Sequence, residues 1–260
     1  MYYPKQVPYL LNKKFKDKVN YEEFILEELN EYCMCIWKMQ SKEDLVETIY
    51  NNILPDACID IVIDFTCKTI CIAGFSKETM PLELKGKVDY MGVRLKPSGF
   101  YSLFHIEAYK VMDKQVPLLE IEKEFNILEI LLLKDTNKRI DVLKNYLLKK
   151  IEKASKKDFI KLVDELYEKP KEQTVIDIAE KLGYNQRHLF RIFKINYGLS
   201  PKVLLNILRL HLCLTLLLEK NMDLTSIAIL CGFYDQSHFI RDIKKYTGVS
   251  PLKLLENYKM

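Results

Sequence analysis

The sequence is poor in the residues that form most metal, nucleotide and hydrolase sites. Its 260 residues include only 4 histidines, 8 glycines and 1 tryptophan. The N-terminal half has a single histidine, His105, whereas a metal site in a small β-barrel typically needs roughly two or three histidines and a carboxylate. The sequence contains no glycine-rich phosphate loop and no G-x-S-x-G motif. We therefore expect no metal site, no cofactor and no catalytic residues.

The cysteine content and the net charge also limit which kinds of site and partner the sequence can support. The 7 cysteines are an odd number and include no C-x2-C pair, which predicts reduced core residues rather than disulfides or a zinc site. The net charge is only +4, so bulk charge is weak evidence for a nucleic-acid partner. Nothing near the N-terminus resembles a signal peptide, and no apolar run approaches the ~20 residues that span a membrane. We expect a cytoplasmic protein with no membrane partner.

One stretch of the chain occurs twice. The first copy has the blocks Ile178-Ala179-x3-Gly183-Tyr184 and His188-Leu189-x-Arg191-x2-Lys194, and the second has Ile227-Ala228-x3-Gly232-Phe233 and His238-Phe239-x-Arg241-x2-Lys244. The offset grows from 49 to 50 residues between the blocks, which indicates a one-residue insertion in a loop after Gly232-Phe233. In each copy an apolar helix ends at a glycine and another begins soon after it. The pattern predicts two helix-turn-helix units.

The second helix of each unit has a basic exposed face. These helices are predicted over about 186–196 and 236–246, and they hold three of the six arginines in the chain. Arginine makes forked contacts with guanine and phosphate. A solvated face on a structural helix pair is the alternative, but matching basic positions in two copies favour nucleic acid. The predicted DNA-binding residues are Gln186, Arg187, His188, Phe190, Arg191, Lys194, Gln236, Ser237, His238, Ile240, Arg241, Lys244 and Lys245. We further expect Asp235 to cap its helix, and His188 and His238 to donate to phosphates.

A long helix is predicted to join the two units. Ser200 and Pro201 form a helix start, and Leu204, Leu205, Leu208, Leu212 and Leu216 form an apolar stripe up to Glu219. Its roughly 17–19 residues span ~26–29 Å, which is close to one ~34 Å turn of DNA. The second helices of the two units are therefore expected to face successive major grooves of double-stranded DNA.

The N-terminal half has β-strand signals. Short segments rich in β-branched or aromatic residues, bounded by proline or glycine, predict a small antiparallel β-barrel or sandwich. The segments are Tyr32–Met39, Ile59–Phe65, Thr69–Ala73, Met80–Leu84 and Asp89–Leu95, and they precede helical segments at Pro97–Phe104 and Glu107–Met112. The predicted fold class is α+β, with an N-terminal small β-barrel or sandwich and flanking helices, and a C-terminal all-α domain of two helix-turn-helix units. The predicted domains are 1–120, a helical linker at 121–157 that docks the barrel or joins two protomers, and 158–260.

A ligand site in the N-terminal half is one of two interpretations of a charged and aromatic cluster. The cluster could bind an anionic or aromatic molecule through Arg94, Lys96, Trp37, Phe100 and Tyr101. In the other interpretation Arg94 pairs with an acid such as Asp60 or Asp64, and the aromatic residues belong to the core.

The repeated motif resembles a known family. From about Thr174 to Leu255 the chain resembles the DNA-binding domain of the AraC/XylS transcription regulators, most closely in the second copy through Gly248-x-Ser250-Pro251. It departs at Ile243, where phenylalanine is common, and at Leu254 or Leu255, where arginine is usual. The segments Leu54-Pro55-Asp56-Ala57-Cys58, Ala73-Gly74-Phe75 and Gly92-Val93-Arg94-Leu95-x-Pro97 resemble the N-terminal half of a subgroup of the same regulators.

The resemblance implies a sequence-specific transcription regulator with no catalytic activity. Its N-terminal half would bind a small-molecule effector, its linker helices would form a homodimer, and RNA polymerase is a further expected partner. Two alternatives stay open: the same DNA-binding module fused to an enzyme or repair-type methyl acceptor, and a DNA-binding protein whose first half only binds a partner protein. The operator, the effector and the choice between activation and repression are not specified by the sequence.

Overall fold

The computed structural model describes residues 1–6, 11–123, 125–155, 158–168, 173–220 and 222–259. The short helix α1 (Lys13–Lys18) precedes the first strand. The strands of the N-terminal half are β1 (Val19–Phe24), β2 (Cys33–Ser41), β3 (Leu45–Ile53), β4 (Ile59–Asp64), β5 (Thr69–Ala73), β6 (Met80–Gly86), β7 (Asp89–Leu95) and β8 (Gln115–Pro117). Six of them form an antiparallel sheet in the order β1-β2-β7-β4-β5-β8, and β3 pairs with β6 in a second, two-stranded sheet. The predicted antiparallel β structure and the α+β class are confirmed.

Burial alternates from residue to residue along β4, as expected for a strand with one face on the core. In β4, Ile59, Ile61 and Ile63 are buried, while the residues between them are half-buried on the other face. The central strand β7 is buried continuously from Met91 to Leu95 because it lies between β2 and β4. Strands β1, β3 and β8 were not predicted, since their buried positions do not form a clear alternating pattern.

Two helical predictions in the N-terminal half need correction. Helix α2 spans Gly99–Phe104, so Pro97 lies before the helix and not in its first turn. The reason is Ser98, whose φ of 71° places a left-handed residue between the proline and the helix. The segment predicted as helical from Glu107 to Met112 contains only a single 3-10 turn, Ala108–Lys110.

The remaining helices form the linker and the C-terminal half. They are α3 (Leu118–Ile121), α4 (Ile127–Leu132), α5 (Thr136–Ile151), α6 (Asp158–Glu168), α7 (Val175–Lys181), α8 (Gln186–Tyr197), α9 (Pro201–Glu219), α10 (Leu224–Leu230), α11 (Gln236–Thr247) and α12 (Pro251–Lys259). The helix predicted from Lys156 to Lys169 corresponds to α6, whereas its predicted ends and the turn Pro170-Lys171-Glu172 lie outside the described residues.

Helix α9 is the joining helix, with the bounds predicted from the sequence. Of the predicted leucine stripe, Leu204 and Leu208 are buried, whereas Leu205, Leu212 and Leu216 are only half-buried. The buried surface of α9 also includes residues outside that stripe, namely Ile207, Leu210, Leu214 and Leu217. Helices α6, α8, α10 and α12 pack around α9, so it buries more than one side. By length and composition α9 could cross a membrane, but 56% of its most apolar window is buried inside the protein, as expected for a core helix.

The N-terminal half packs directly against α9. Tyr2 is fully buried, and its hydroxyl donates to the carbonyl of Asp56 at 2.9 Å. The backbone N–H of Lys5 donates to Nδ1 of His211 at 3.0 Å, while Nε2 of the same ring donates to the carbonyl of Pro55 at 2.9 Å. His211 is fully buried, so its role is structural.

The cysteines are mostly core residues, as predicted. Cys33, Cys35, Cys58, Cys213 and Cys231 are buried with free thiols. Cys67 is exposed because it lies in the turn between β4 and β5, where Asp64 accepts its backbone N–H. Cys71 is half-buried.

Candidate nucleic-acid interface

The first helix-turn-helix unit consists of α7 and α8. Thr174 and Asp177 form a capping box at the start of α7. Helix α8 begins after Asn185, whose side chain accepts the backbone N–H of His188 at 2.9 Å. Leu189 and Phe193 point into the core and are completely buried, which fixes the opposite side of α8 toward solvent.

The second unit, α10 and α11, is built in the same way. Asp235 accepts the backbone N–H of His238 at 2.7 Å, so the predicted cap is confirmed. Phe239 and Ile243 are buried in the core, at the positions equivalent to those of the first unit. The inserted residue is Tyr234, which lies between Phe233 and the cap and is 95% exposed.

The predicted DNA-binding residues lie on the outer sides of α8 and α11, which we call the recognition helices. His188 and Ile240 are half-buried, and the others are exposed, including Phe190 at 45%. One acidic residue of α11, Asp242, lies 3.8 Å from the guanidinium of Arg209 on α9. Its charge is thereby partly neutralised, and Arg209 also lies over the Phe233 ring at 4.6 Å. Both outer faces are consequently dominated by basic and neutral side chains.

The two histidines have an equivalent aromatic neighbour. The ring of His188 contacts Tyr184 edge to face at 4.4 Å, and that of His238 contacts Phe233 at 5.1 Å. In the first unit a guanidinium nitrogen of Arg191 also lies 3.3 Å from Nδ1 of His188. An aromatic ring thus supports one side of each imidazole. Donation from these rings to phosphate stays a prediction.

Sequence reasoning missed one exposed side chain in this region. Tyr234 lines a shallow groove of about 450 Å³ together with His238, Arg241 and Lys245. The signal for it was present, because the change of offset between the two copies located an extra residue at this turn. The residue lies in the turn before α11, outside the helical faces on which the predicted contacts lie.

Arg94 in the N-terminal half lies in a buried ion cluster. Its guanidinium is 3.4 Å from Glu23, 3.5 Å from Asp60 and 3.9 Å from Asp56, and only 7% of its side chain is exposed. Burial raises the pKa of Asp60 to about 6, although Arg94 acts in the opposite direction. Pairing of Arg94 with Asp60, one of the two interpretations of this cluster, is the arrangement found.

The other residues of the predicted ligand set lie around this cluster and in the core. The Trp37 ring lies across Gly92, where an added Cβ would be 2.3 Å from it. Phe100 is buried and stacks on Phe104 at 5.3 Å, and Lys96 Nζ approaches Met1 Sδ at 4.0 Å. Tyr101 is half-buried. Binding of a ligand by these residues remains a prediction.

Comparison with known proteins connects this architecture to a family. Residues 178–257 match a helix-turn-helix domain family, and residues 26–117 match a family described as a domain of unknown function. Over 83 residues the chain is 39% identical to the probable transcription factor PqrA of Proteus vulgaris, a match that covers 32% of this chain and 68% of that protein. The chain belongs to the AraC/XylS family.

Other similar proteins also match only part of this chain. The raffinose operon transcriptional regulatory protein RafR of Pediococcus pentosaceus is 33% identical over 78 residues, which are 30% of this chain but only 28% of that protein. The C-terminal domain of the response regulator yesN from Fusobacterium nucleatum is 28% identical, with a TM-score of 0.34, over 36% of this chain and 95% of that chain. The protein is a DNA-binding transcription regulator, as its sequence predicted.

Proposed function

We propose that α8 and α11 enter successive major grooves on one side of a DNA duplex. The supporting observation is that two equivalent helices expose basic faces and that the two helix-turn-helix units are joined by one continuous helix, α9. The 19 residues of α9 span ~29 Å, which approaches the ~34 Å between equivalent groove positions.

The exposed side chains suggest a division of roles. Arg187, Phe190 and Arg191 would contact base edges in the first groove, where an apolar ring can meet a thymine methyl group. In the second groove the residues proposed to contact base edges are Gln236, Ser237, Ile240 and Arg241. The flanking polar and basic residues would bind phosphates, which hold the protein in register without reading sequence. They are Gln186, His188, Lys194, His238, Lys244 and Lys245.

The test combines a footprint with a substitution. The purified full chain is footprinted on its own upstream region, and Arg187→Ala is then titrated with the protected site and with an unrelated duplex. If Arg187 forks a guanine, the loss at the protected site should be ~1–3 kcal/mol, with little change on unrelated DNA. An equal loss on all DNA would make Arg187 a phosphate contact, and no loss would remove it from the interface.

We also propose that the N-terminal half (residues 1–120) senses a small molecule and alters DNA affinity. The support is its direct packing on α9 and on the end of α8, because a ligand that favours one arrangement of the two halves changes the other site reciprocally. A metabolite panel is screened by thermal shift, where ~2.7 kcal/mol of stabilisation is expected at a hundred times the dissociation constant. A stabilising molecule that leaves DNA affinity unchanged would contradict effector control, and a half that binds only a partner protein would then be the better interpretation.

The linker region (residues 121–157) is proposed to form a homodimer. Leu128 and Leu132 lie one turn apart on α4 and are 69% and 80% exposed. An apolar pair at this spacing on a helix surface is typical of a face that packs against another protein. With residues 158–260 as the DNA-binding domain, two such domains would then bind one operator.

The biological role follows from these parts. One relative, the lactose operon transcription activator of Staphylococcus xylosus, matches over 28% of its length. We propose activation of transcription in the cytoplasm, by a DNA-bound dimer that contacts RNA polymerase and performs no catalysis. A reporter fused to the footprinted promoter should lose expression when the gene is deleted, and increased expression would indicate repression.

A further inference from the structure

The loop between β5 and β6, residues 74–79, lies against the ends of both recognition helices. Phe75 is buried against Gly198, the residue that ends α8, so closely that an added Cβ there would be 2.2 Å from Phe75 Cζ. At the other end of the loop, the hydroxyl of Thr79 donates to the carbonyl of Tyr246 in the last turn of α11. A single loop of the N-terminal half therefore bridges the two helices that we propose to enter DNA.

Lys77 is the exposed basic residue in the middle of this bridging loop. It lines a groove of about 580 Å³ together with Arg191 and Lys194 of α8. The ring of Tyr109 forms part of the same groove, and Lys194 Nζ lies 4.9 Å above it. None of the described residues that line the groove is acidic. Cations from both halves of the chain therefore face one space.

Two acidic residues lie near the groove but do not line it. Glu107 accepts the Tyr109 hydroxyl at 2.8 Å and pairs with Lys110 at 3.1 Å. Glu78 follows Lys77 in the chain and is exposed. The positive charge in the groove is thus only partly offset from its surroundings.

The dimensions of DNA determine what this groove meets. A major groove is about 12 Å wide, and an α-helix with its side chains is about 10–12 Å in diameter. A recognition helix therefore fills the groove, and any structure beside it must meet a phosphate strand. With α8 in a major groove as proposed, this strand would pass next to Lys77, because Phe190 and Arg191 of α8 line the same space as Lys77. Since the bridging loop also reaches α11, the nearest phosphates are those between the two major grooves.

We propose that Lys77, in the N-terminal half, binds a DNA phosphate between the two grooves occupied by the recognition helices. The inference rests on the proposed DNA-binding mode. It gives the N-terminal half a direct part in DNA affinity, in addition to any sensing role. The contact is independent of sequence, because a lysine on a phosphate holds the duplex without distinguishing bases.

The test compares Lys77→Gln with Lys87→Gln in the full chain. Lys87 is also an exposed lysine of the N-terminal half, but it follows the opposite end of β6, roughly 20 Å along the strand. Affinity for the footprinted site is measured between 50 and 200 mM salt. Loss of one phosphate contact makes the plot of log K against log salt less steep by about 0.9. Between 50 and 200 mM salt, the fold-loss of affinity for Lys77→Gln should therefore be about 3.5 times smaller than for the wild type. Lys77→Arg, which keeps the charge, should restore the wild-type slope.

Each other outcome overturns the inference. Identical slopes and affinities for Lys77→Gln and Lys87→Gln would show that Lys77 makes no contact. Tighter binding by Lys77→Gln would show that the bridging loop obstructs DNA. If Arg187→Ala weakens binding while Lys77→Gln does not, only the role of Lys77 fails. A wild-type chain that binds no duplex refutes the DNA-binding mode itself.

Discussion

The contact between the bridging loop and α8 can be tested with a matched pair of glycines. Both recognition helices end at a glycine in the left-handed region, Gly198 with φ of 69° and Gly248 with φ of 75°. Alanine in this conformation costs roughly 1–2 kcal/mol at either position. An added Cβ at Gly248 has nothing within 4 Å, whereas at Gly198 it would be 2.2 Å from Phe75 Cζ and 3.1 Å from the backbone nitrogen of Tyr109.

The two substitutions should therefore differ in their effect on the free energy of unfolding. Gly248→Ala should cost only the backbone strain of roughly 1–2 kcal/mol. Gly198→Ala should cost the same strain and a further ~1–3 kcal/mol, because Phe75 must move out of a packed position. Urea denaturation of the full chain, followed by circular dichroism, gives both values.

A third substitution identifies the source of the difference. In a Phe75→Ala background the obstructing ring is absent, so the cost of Gly198→Ala should fall toward that of Gly248→Ala, and a double-mutant cycle measures this coupling. Equal costs for the two glycine variants in the wild-type chain would refute the reasoning. So would an excess cost at Gly198 that is undiminished when the phenylalanine ring is removed.

Three further predictions concern individual side chains. His238→Gln should keep more DNA affinity than His238→Ala because glutamine retains a donor for phosphate, and likewise at His188; equal losses in a binding titration would exclude this role. Burial lowers the pKa of His211 below its usual value, so the unfolded chain takes up the proton more readily and stability should fall as the pH drops below ~6.5. His211→Gln should flatten that part of a denaturation profile, and an unchanged slope would contradict it. Leu128→Glu combined with Leu132→Glu should convert a dimer into a monomer in light scattering without lowering the melting temperature, whereas a monomeric wild type would exclude the dimer.

The C-terminal half could be predicted well from the sequence because its signals are local. Caps such as Ser200 and Asp235 lie next to the helices that they start, and the bounds of α9 follow from Pro201 and the polar residues after Leu218. Duplication strengthened each signal, because a match in one copy supported the other. The N-terminal half was harder: β3 has mostly exposed or half-buried residues, and its pairing with β6 depends on residues distant in the chain.

The candidate DNA-binding site could likewise be predicted only in part from the sequence. The outer faces of the recognition helices follow from helical periodicity, so their exposed residues could be predicted. The contacts of the bridging loop could not, since Thr79 and Tyr246 are 167 residues apart and neither has an unusual local pattern. The partners of Arg94 were foreseen only as an alternative, because a sequence shows the charges near a strand but not which of them face each other.

The bridging loop also affects how the two copies can diverge. The last two residues of α8 and the two that follow it are buried, with Asn196, Tyr197 and Leu199 at 5%, 1% and 1% exposure. Asn196 accepts a hydrogen bond from the hydroxyl of Ser98. In the second copy, Gly248 is exposed and Val249 is only half-buried. Substitutions in the turn after α8 must therefore be compatible with both the first helix-turn-helix unit and the N-terminal half. Substitutions in the turn after α11 face fewer constraints. Exchanging the two units would preserve both helix-turn-helix folds, but the surface placed against the N-terminal half would no longer be complementary to it.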